Sequence, residues 1–154
     1  MACLLDSGIL LRLINADDEA HLIIRQAVDT LIAGRDELWI TTQNIAELWN
    51  VATRPVVNNG LALSPTQVAK LYDETIAPVC GILTEAESHP DVFRRLLKQY
   101  NVVGKQVHDA RLLASMLTWQ IDSILTLNER NFRRYEPEGI SVLTPPSILN
   151  STSS

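Results

Sequence analysis

The stretch "CLLDSGILLRL", residues 3–13, sets a lone carboxylate between two apolar runs. The first run, with Ala2, is short and apolar throughout, the pattern of a strand buried on both faces of a parallel sheet. The second repeats Ile9, Leu10, Leu13 and Ile14 at helical spacing. Asp6 therefore stands where a strand ends and a helix begins. Two roles suit it: a local cap for the helix, or one arm of a site assembled from distant segments.

The same alternation continues outward from this stretch. Residues 38–41, 79–82, 123–127 and 141–143 are short β-rich or apolar runs and are expected as strands. Between them, acids at Asp17, Asp18 and Glu19 lead a helix over 21–33 that Gly34 closes. Thr41 or Thr42 caps a helix running to Thr53, and Pro55 stops it. Asn58-Asn59-Gly60 marks a loop, Ser64-Pro65 opens the next helix, and further helices are expected over 88–100 and 107–119. Strands alternating with helices imply an α/β domain, its mainly parallel sheet covered on both faces. The domain is expected over residues 1–146, with a polar tail over 147–154.

A chain of 154 residues is sized for one domain, and 46% apolar with 20% charged residues gives it enough core to fold without a staple. Its net charge of −5 excludes a generic polyanion binder, so any nucleic-acid contact must be local, through a basic patch or bound cations. Cys3 and Cys80 lie in apolar runs and read as buried thiols; counting alone leaves a bridge between them open. The first residues carry no basic leader, and Asp6 and Arg12 interrupt their apolar run. A soluble, cytoplasmic protein without a membrane span is expected.

Three acids are embedded in apolar sequence: Asp6, Glu47 in "TTQNIAELWNVATRP" (41–55) and Asp109 in "GKQVHDARLLASM" (104–116). Each has a local explanation. Asp6 caps, Glu47 pairs with Asn44 in a capping box or joins Gln43 and Asn50 on a polar stripe, and Asp109 sits in a first turn. Jointly they share one level, the strand ends and helix starts where a doubly wound fold places its ligands. Carboxylates gathered there repel and raise one another's pKa, so the cluster calls for a cation. Oxygen ligands of this kind suit Mg²⁺ or Mn²⁺, which activate water against a phosphodiester.

With "LLDSGILLRL" (4–13) and "ILTLNERNF" (124–132), these segments in their order and spacing resemble the PIN-domain ribonucleases, particularly VapC-type toxins, over nearly the whole chain. The resemblance implies a three-layer α/β/α sandwich, Mg²⁺- or Mn²⁺-dependent cleavage of RNA, a homodimer, and a small antitoxin reaching into the site. Asp6, Glu47 and Asp109 match the family's first three acids, and Ser7 matches the hydroxyl residue that follows the first. Asn128 matches an Asn common in relatives, whereas Asn131 falls where Asp, Glu or His is often seen. An amide adds no charge, which favours one cation over two unless Glu129 contributes from the same loop. Asp122 precedes its strand and belongs at the opposite edge of the sheet. Asn131 also motivates a second reading, a catalytically weakened PIN-like module that binds RNA or protein.

Among the basic residues, Arg54 and Lys105 are candidates for substrate phosphate, each balanced by an ordinary surface role. Arg130, Arg133 and Arg134 make either a phosphate-binding rim or a solvated turn. His108 is expected to point away from Asp109, and Trp39, Trp49 and Trp119 are read as core or interface.

Overall fold

The central position of one strand explains its composition. In a computed structural model describing residues 1–152, β1 (Ala2–Leu5) is flanked on both sides, and Cys3, Leu4 and Leu5 have no exposed surface. With β2 (Glu37–Thr41), β3 (Cys80–Leu83), β4 (Ser123–Leu125) and β5 (Ser141–Leu143) it forms an all-parallel sheet ordered β3-β2-β1-β4-β5.

Alternate residues of the strands feed two cores, one on each face. Cys3, Leu5, Leu38, Ile40 and Leu125 pack with α1 (Ser7–Ile14), α2 (His21–Ala33), α3 (Thr42–Thr53) and α4 (Pro65–Thr75). Leu4, Leu83 and Ile124 pack with α5 (His89–Gln99), α6 (Gln106–Thr118) and α7 (Glu129–Arg133). Each fully buried Leu or Ile contributes roughly 1.5–3 kcal/mol. The result is the expected three-layer α/β/α sandwich.

Chain order fixes where a ligand crevice must lie. β2 and β3 build outward on one side of β1, and the chain then returns to place β4 and β5 on the other. The reversal falls between β1 and β4, and the crevice opens at their carboxyl ends.

Two expectations need correction. Residues 147–152 are not a frayed tail: α8 (Pro145–Thr152) opens with reciprocal Thr144–Ser147 hydrogen bonds and buries Ile148 in the α2 core. Residues 153 and 154 of the expected tail lie outside the described residues. Of the core-or-interface reading of the tryptophans, the core half fails for Trp49 and Trp119, which are 37% and 45% exposed; the Trp119 indole donates to the Thr84 carbonyl (2.6 Å). The acids at 17–19 lead α2 as expected, Asp18 accepting from the Ala20 amide (2.8 Å) just before the helix begins at His21. Both cysteines are free thiols. No helix among the described residues is long and apolar enough to cross a membrane.

Candidate active site

Strand register builds the first half of the site. Leu5 pairs with Leu125, so Asp6 and Thr126 leave the sheet side by side across the β1/β4 crevice. The Asp6 carboxylate accepts from its neighbour's amide, Ser7 N (2.8 Å), through Oδ1 and from the Thr126 hydroxyl (2.7 Å) through Oδ2. The same Thr126 oxygen accepts from the Asn128 amide (2.9 Å), so its rotor is held at both ends. Asp6 is thus the cap of α1 and a member of the site together. It is buried, which raises its pKa; the bonds from Thr126 and Ser7 oppose this, and the charge of Glu47 adds to it.

The start of α3 supplies the second part. Its capping box joins Thr41 to Asn44, with Thr41 N donating to Asn44 Oδ1 (2.8 Å) and Asn44 N to Thr41 Oγ1 (3.2 Å). Glu47 is therefore not the capping partner of Asn44. Asn44 instead uses its Nδ2 to reach Ser7 Oγ (3.0 Å), stapling α3 to the end of β1. Beside Asn44, Gln43 Nε2 donates both to Glu47 Oε1 one turn on (2.7 Å) and to the His108 carbonyl (2.8 Å), which brings Glu47 to the first turn of α6. Gln43 Oε1 is buried and has no hydrogen-bond partner.

Asp109 completes the set from that first turn. Its carboxyl is pushed up from 3.8 to about 7, chiefly by burial, then by the charges of Asp6 and Glu47. Asp6 therefore feels Glu47, and Asp109 feels both; no guanidinium or ammonium is among the groups that shift Asp6 or Asp109. Among the described residues no three acidic side chains close around one point, so the set is an open cluster. Its chemistry suits a hard divalent cation: hydrogen-bonded carboxylates with unrelieved repulsion, and a buried amide oxygen without a partner beside Glu47.

The remaining predicted residues divide around this cluster. Asn131 shares a cavity of about 190 Å³ with Gln106, Asp109, Arg130, Arg134 and Tyr135. Lys105 lines an open groove of about 530 Å³ with Glu47, Gln43 and His108, so His108 does face the Glu47 side. Asn128 contributes its backbone amide to Thr126. Glu129 is turned into an ion pair with Arg133, and Asp122 binds the Ala2 amide (3.2 Å) at the amino end of β1. Arg54 lies seven residues beyond Glu47, about 10 Å along the helix, and donates to the Asn59 carbonyl (3.4 Å). There Gly60 is tied to it, since a Cβ at that position would fall 1.9 Å from the Arg54 carbonyl oxygen. Sequence reasoning passed over Thr126; its one signal is a polar residue directly after a buried strand, opposite Asp6 once the register is known.

A family model for the PIN domain matches residues 3–137. No curated protein matches the sequence. Among solved structures, VapBC2 from Rickettsia felis, bound to a promoter DNA fragment, is similar with a TM-score of 0.66 and 16% identity, covering 94% of this chain and 98% of that one. FitAcB from Neisseria gonorrhoeae gives 0.66 and 16% over 93% and 97%. Mycobacterium tuberculosis VapC20, a sarcin-ricin loop cleaving toxin, gives 0.56 and 16% over 79% and 86%. At these identities the structural likeness concerns the fold.

Proposed function

The chain belongs to the PIN domain family, and from that premise we propose that it hydrolyses RNA phosphodiester bonds with a divalent cation, Mg²⁺ or Mn²⁺, held by Asp6, Glu47 and Asp109. The observation that carries this reading is the gathering of Asp6 after β1, Glu47 on α3 and Asp109 on α6 at one crevice, where burial raises Asp6 and Asp109 and the charges of Asp6 and Glu47 raise Asp109 further. A bound cation supplies positive charge that activates water and offsets charge building on the phosphate oxygens.

The chain's own residues hold the acids ready. Thr126 and the Ser7 amide aim the two oxygens of Asp6. Gln43 fixes Glu47 against the α6 turn. The Asp109 carboxyl, titrating near neutrality, holds a proton until positive charge arrives. Ser7 Oγ, already accepting from Asn44, retains its own O–H to orient substrate or water. Asn131 leaves the fourth position uncharged, which supports a single cation.

The partners that accompany this reading are a small antitoxin and a second copy of the chain. Support for the first comes from the toxin–antitoxin complexes among the similar structures. The decisive assay is cleavage of RNA by the purified protein with Mg²⁺ or Mn²⁺. Asp6→Asn and Asp109→Asn are each expected to lower the rate by at least about 100-fold, because each removes a charge-bearing ligand. Equal cleavage by these variants would overturn the assignment.

The open arrangement of the acids and the neutral Asn131 favour a second reading, a weakened module that binds RNA without cutting it. RNA binding without metal-dependent cleavage would select it.

A further inference from the structure

The cavity that Asp109 and Asn131 share with Arg130, Arg134 and Tyr135 is cationic on a chain of net charge −5. Arg134 is held in place: its guanidinium lies 5.3 Å from the Tyr135 ring centre and 5.9 Å from that of Tyr100. One nitrogen donates to Gln106 Oε1 (3.2 Å) and another to the Tyr100 carbonyl. Tyr100 is anchored in turn by Glu138, which also accepts both Arg95 nitrogens. Arg134 and Arg130 pair with no carboxylate among the described residues. Arg133, between them in sequence, is committed to Glu129 and Glu136.

Tyr135 adds the independent observation. The residue is 1% exposed, it lines this cavity, and its hydroxyl has no hydrogen-bond partner. A buried hydroxyl left unpaired carries a desolvation penalty that a ligand oxygen would remove. Two guanidinium groups beside it, neither in an ion pair among the described residues, select a ligand that is anionic and rich in acceptor oxygens. A phosphodiester meets both demands, offering non-bridging oxygens to a planar donor fork and to the phenol together.

We propose that Arg130, Arg134 and the Tyr135 hydroxyl form a phosphate subsite that positions the RNA backbone beside Asp109. The proposal rests on the nuclease reading above. It separates the arginines of the 130–134 cluster by role: Arg130 and Arg134 bind substrate, and Arg133 closes a surface ion-pair network. Arg134 is prearranged by its aromatic packing, and Arg130 is the solvent-exposed member.

The test is fluorescence anisotropy of the full chain with a labelled single-stranded RNA decamer of mixed sequence, in EDTA and over a series of salt concentrations. Arg134→Gln and Arg130→Gln are expected to weaken binding about tenfold and threefold, and to flatten the log–log salt dependence by about 0.7 each. Arg133→Gln, with the same change in net charge, is expected to match the unaltered protein. Tyr135→Phe keeps the ring under Arg134 and removes only an unpaired hydroxyl; it is expected to keep the thermal midpoint and still weaken RNA about threefold. It therefore guards against an Arg134 variant that fails to fold. Unchanged affinity and salt slope in Arg130→Gln and Tyr135→Phe, with wild-type RNA binding intact, would overturn the subsite and leave the nuclease reading standing. No RNA binding by the unaltered protein in EDTA would overturn the subsite, and the cleavage assay with Mg²⁺ or Mn²⁺ decides the nuclease reading separately. If the variants lose affinity for an acidic decapeptide and not for RNA, the cavity is a peptide site and the proposal is wrong.

Discussion

The two ends of the site are built differently. Around Asp6 the polar groups are bonded to one another: Asp6 with Thr126 and Ser7 N, Thr126 with Asn128 N, Ser7 with Asn44, Asn44 with Thr41. Around Asp109 the reverse holds. The carboxyl is pushed to about 7, the Tyr135 hydroxyl is unpaired, and Arg130 and Arg134 line the same cavity without forming an ion pair among the described residues. One end is fixed by the protein for itself, and the other is left for a ligand to complete. Rigid support beneath one acid and unsatisfied groups around another is an arrangement suited to binding, because only the second half gains when something arrives.

This contrast predicts opposite signs for substitutions at the two ends. The largest expected effect is on catalysis, where Asp6→Asn and Asp109→Asn both abolish metal-dependent cleavage. Their stabilities should part: Asp109→Asn raises the thermal midpoint of the metal-free protein by relieving repulsion, whereas Asp6→Asn disturbs a bonded network and lowers it. Next comes Thr126→Val, which removes the donor to Asp6 Oδ2. It should cost about 1–3 kcal/mol of stability in chemical denaturation and about 10- to 100-fold in cation affinity or activity. A Thr126→Val protein as stable and active as the original would show that the crevice network is incidental.

A smaller effect is expected in the pH dependence. The folded Asp109 titrates at about 7 against 3.8 for the ordinary group, so the folded state binds the extra proton between these values. Stability from this group is therefore greatest below that window and falls as pH rises through it, with no further change above. Millimolar Mg²⁺ should flatten the slope in the wild type, and Asp109→Asn should remove it without metal. Midpoints that rise over this interval in the wild type and in Asp109→Asn alike would place the titration elsewhere. The smallest effect is Tyr135→Phe in the absence of RNA, which is expected to leave the thermal midpoint at or slightly above that of the wild type.

Much of the fold was legible because its signals are local. An apolar run such as residues 2–5 reads as a buried strand on its own, and helical spacing in 21–33 names a helix without neighbours. The helix at 145–152 was hidden because, among the described residues, only Pro145 and Ile148 are buried in a segment that opens on two prolines and closes on Asn, Ser and Thr. The acids were legible only as a set, since each has a sufficient local role. Their supports were not: Thr126 depends on the Leu5–Leu125 register, and the Gln43 bridge to His108 spans two helices far apart in sequence. Glu129 illustrates the converse, an acid in a suggestive position whose neighbour Arg133 takes it out of play.

The account turns on whether the acids of the crevice bind a cation. Calorimetric titration of Mn²⁺ into the metal-free protein near pH 7, repeated in buffers of different ionisation enthalpy, measures this directly. The structure predicts one site per chain and proton release on binding, because Asp109 gives up the proton it holds near neutrality. Binding should be lost in Asp6→Asn, and in Asp109→Asn both the affinity and the released proton should go. No heat at millimolar metal, or binding unaltered by either substitution, would contradict it.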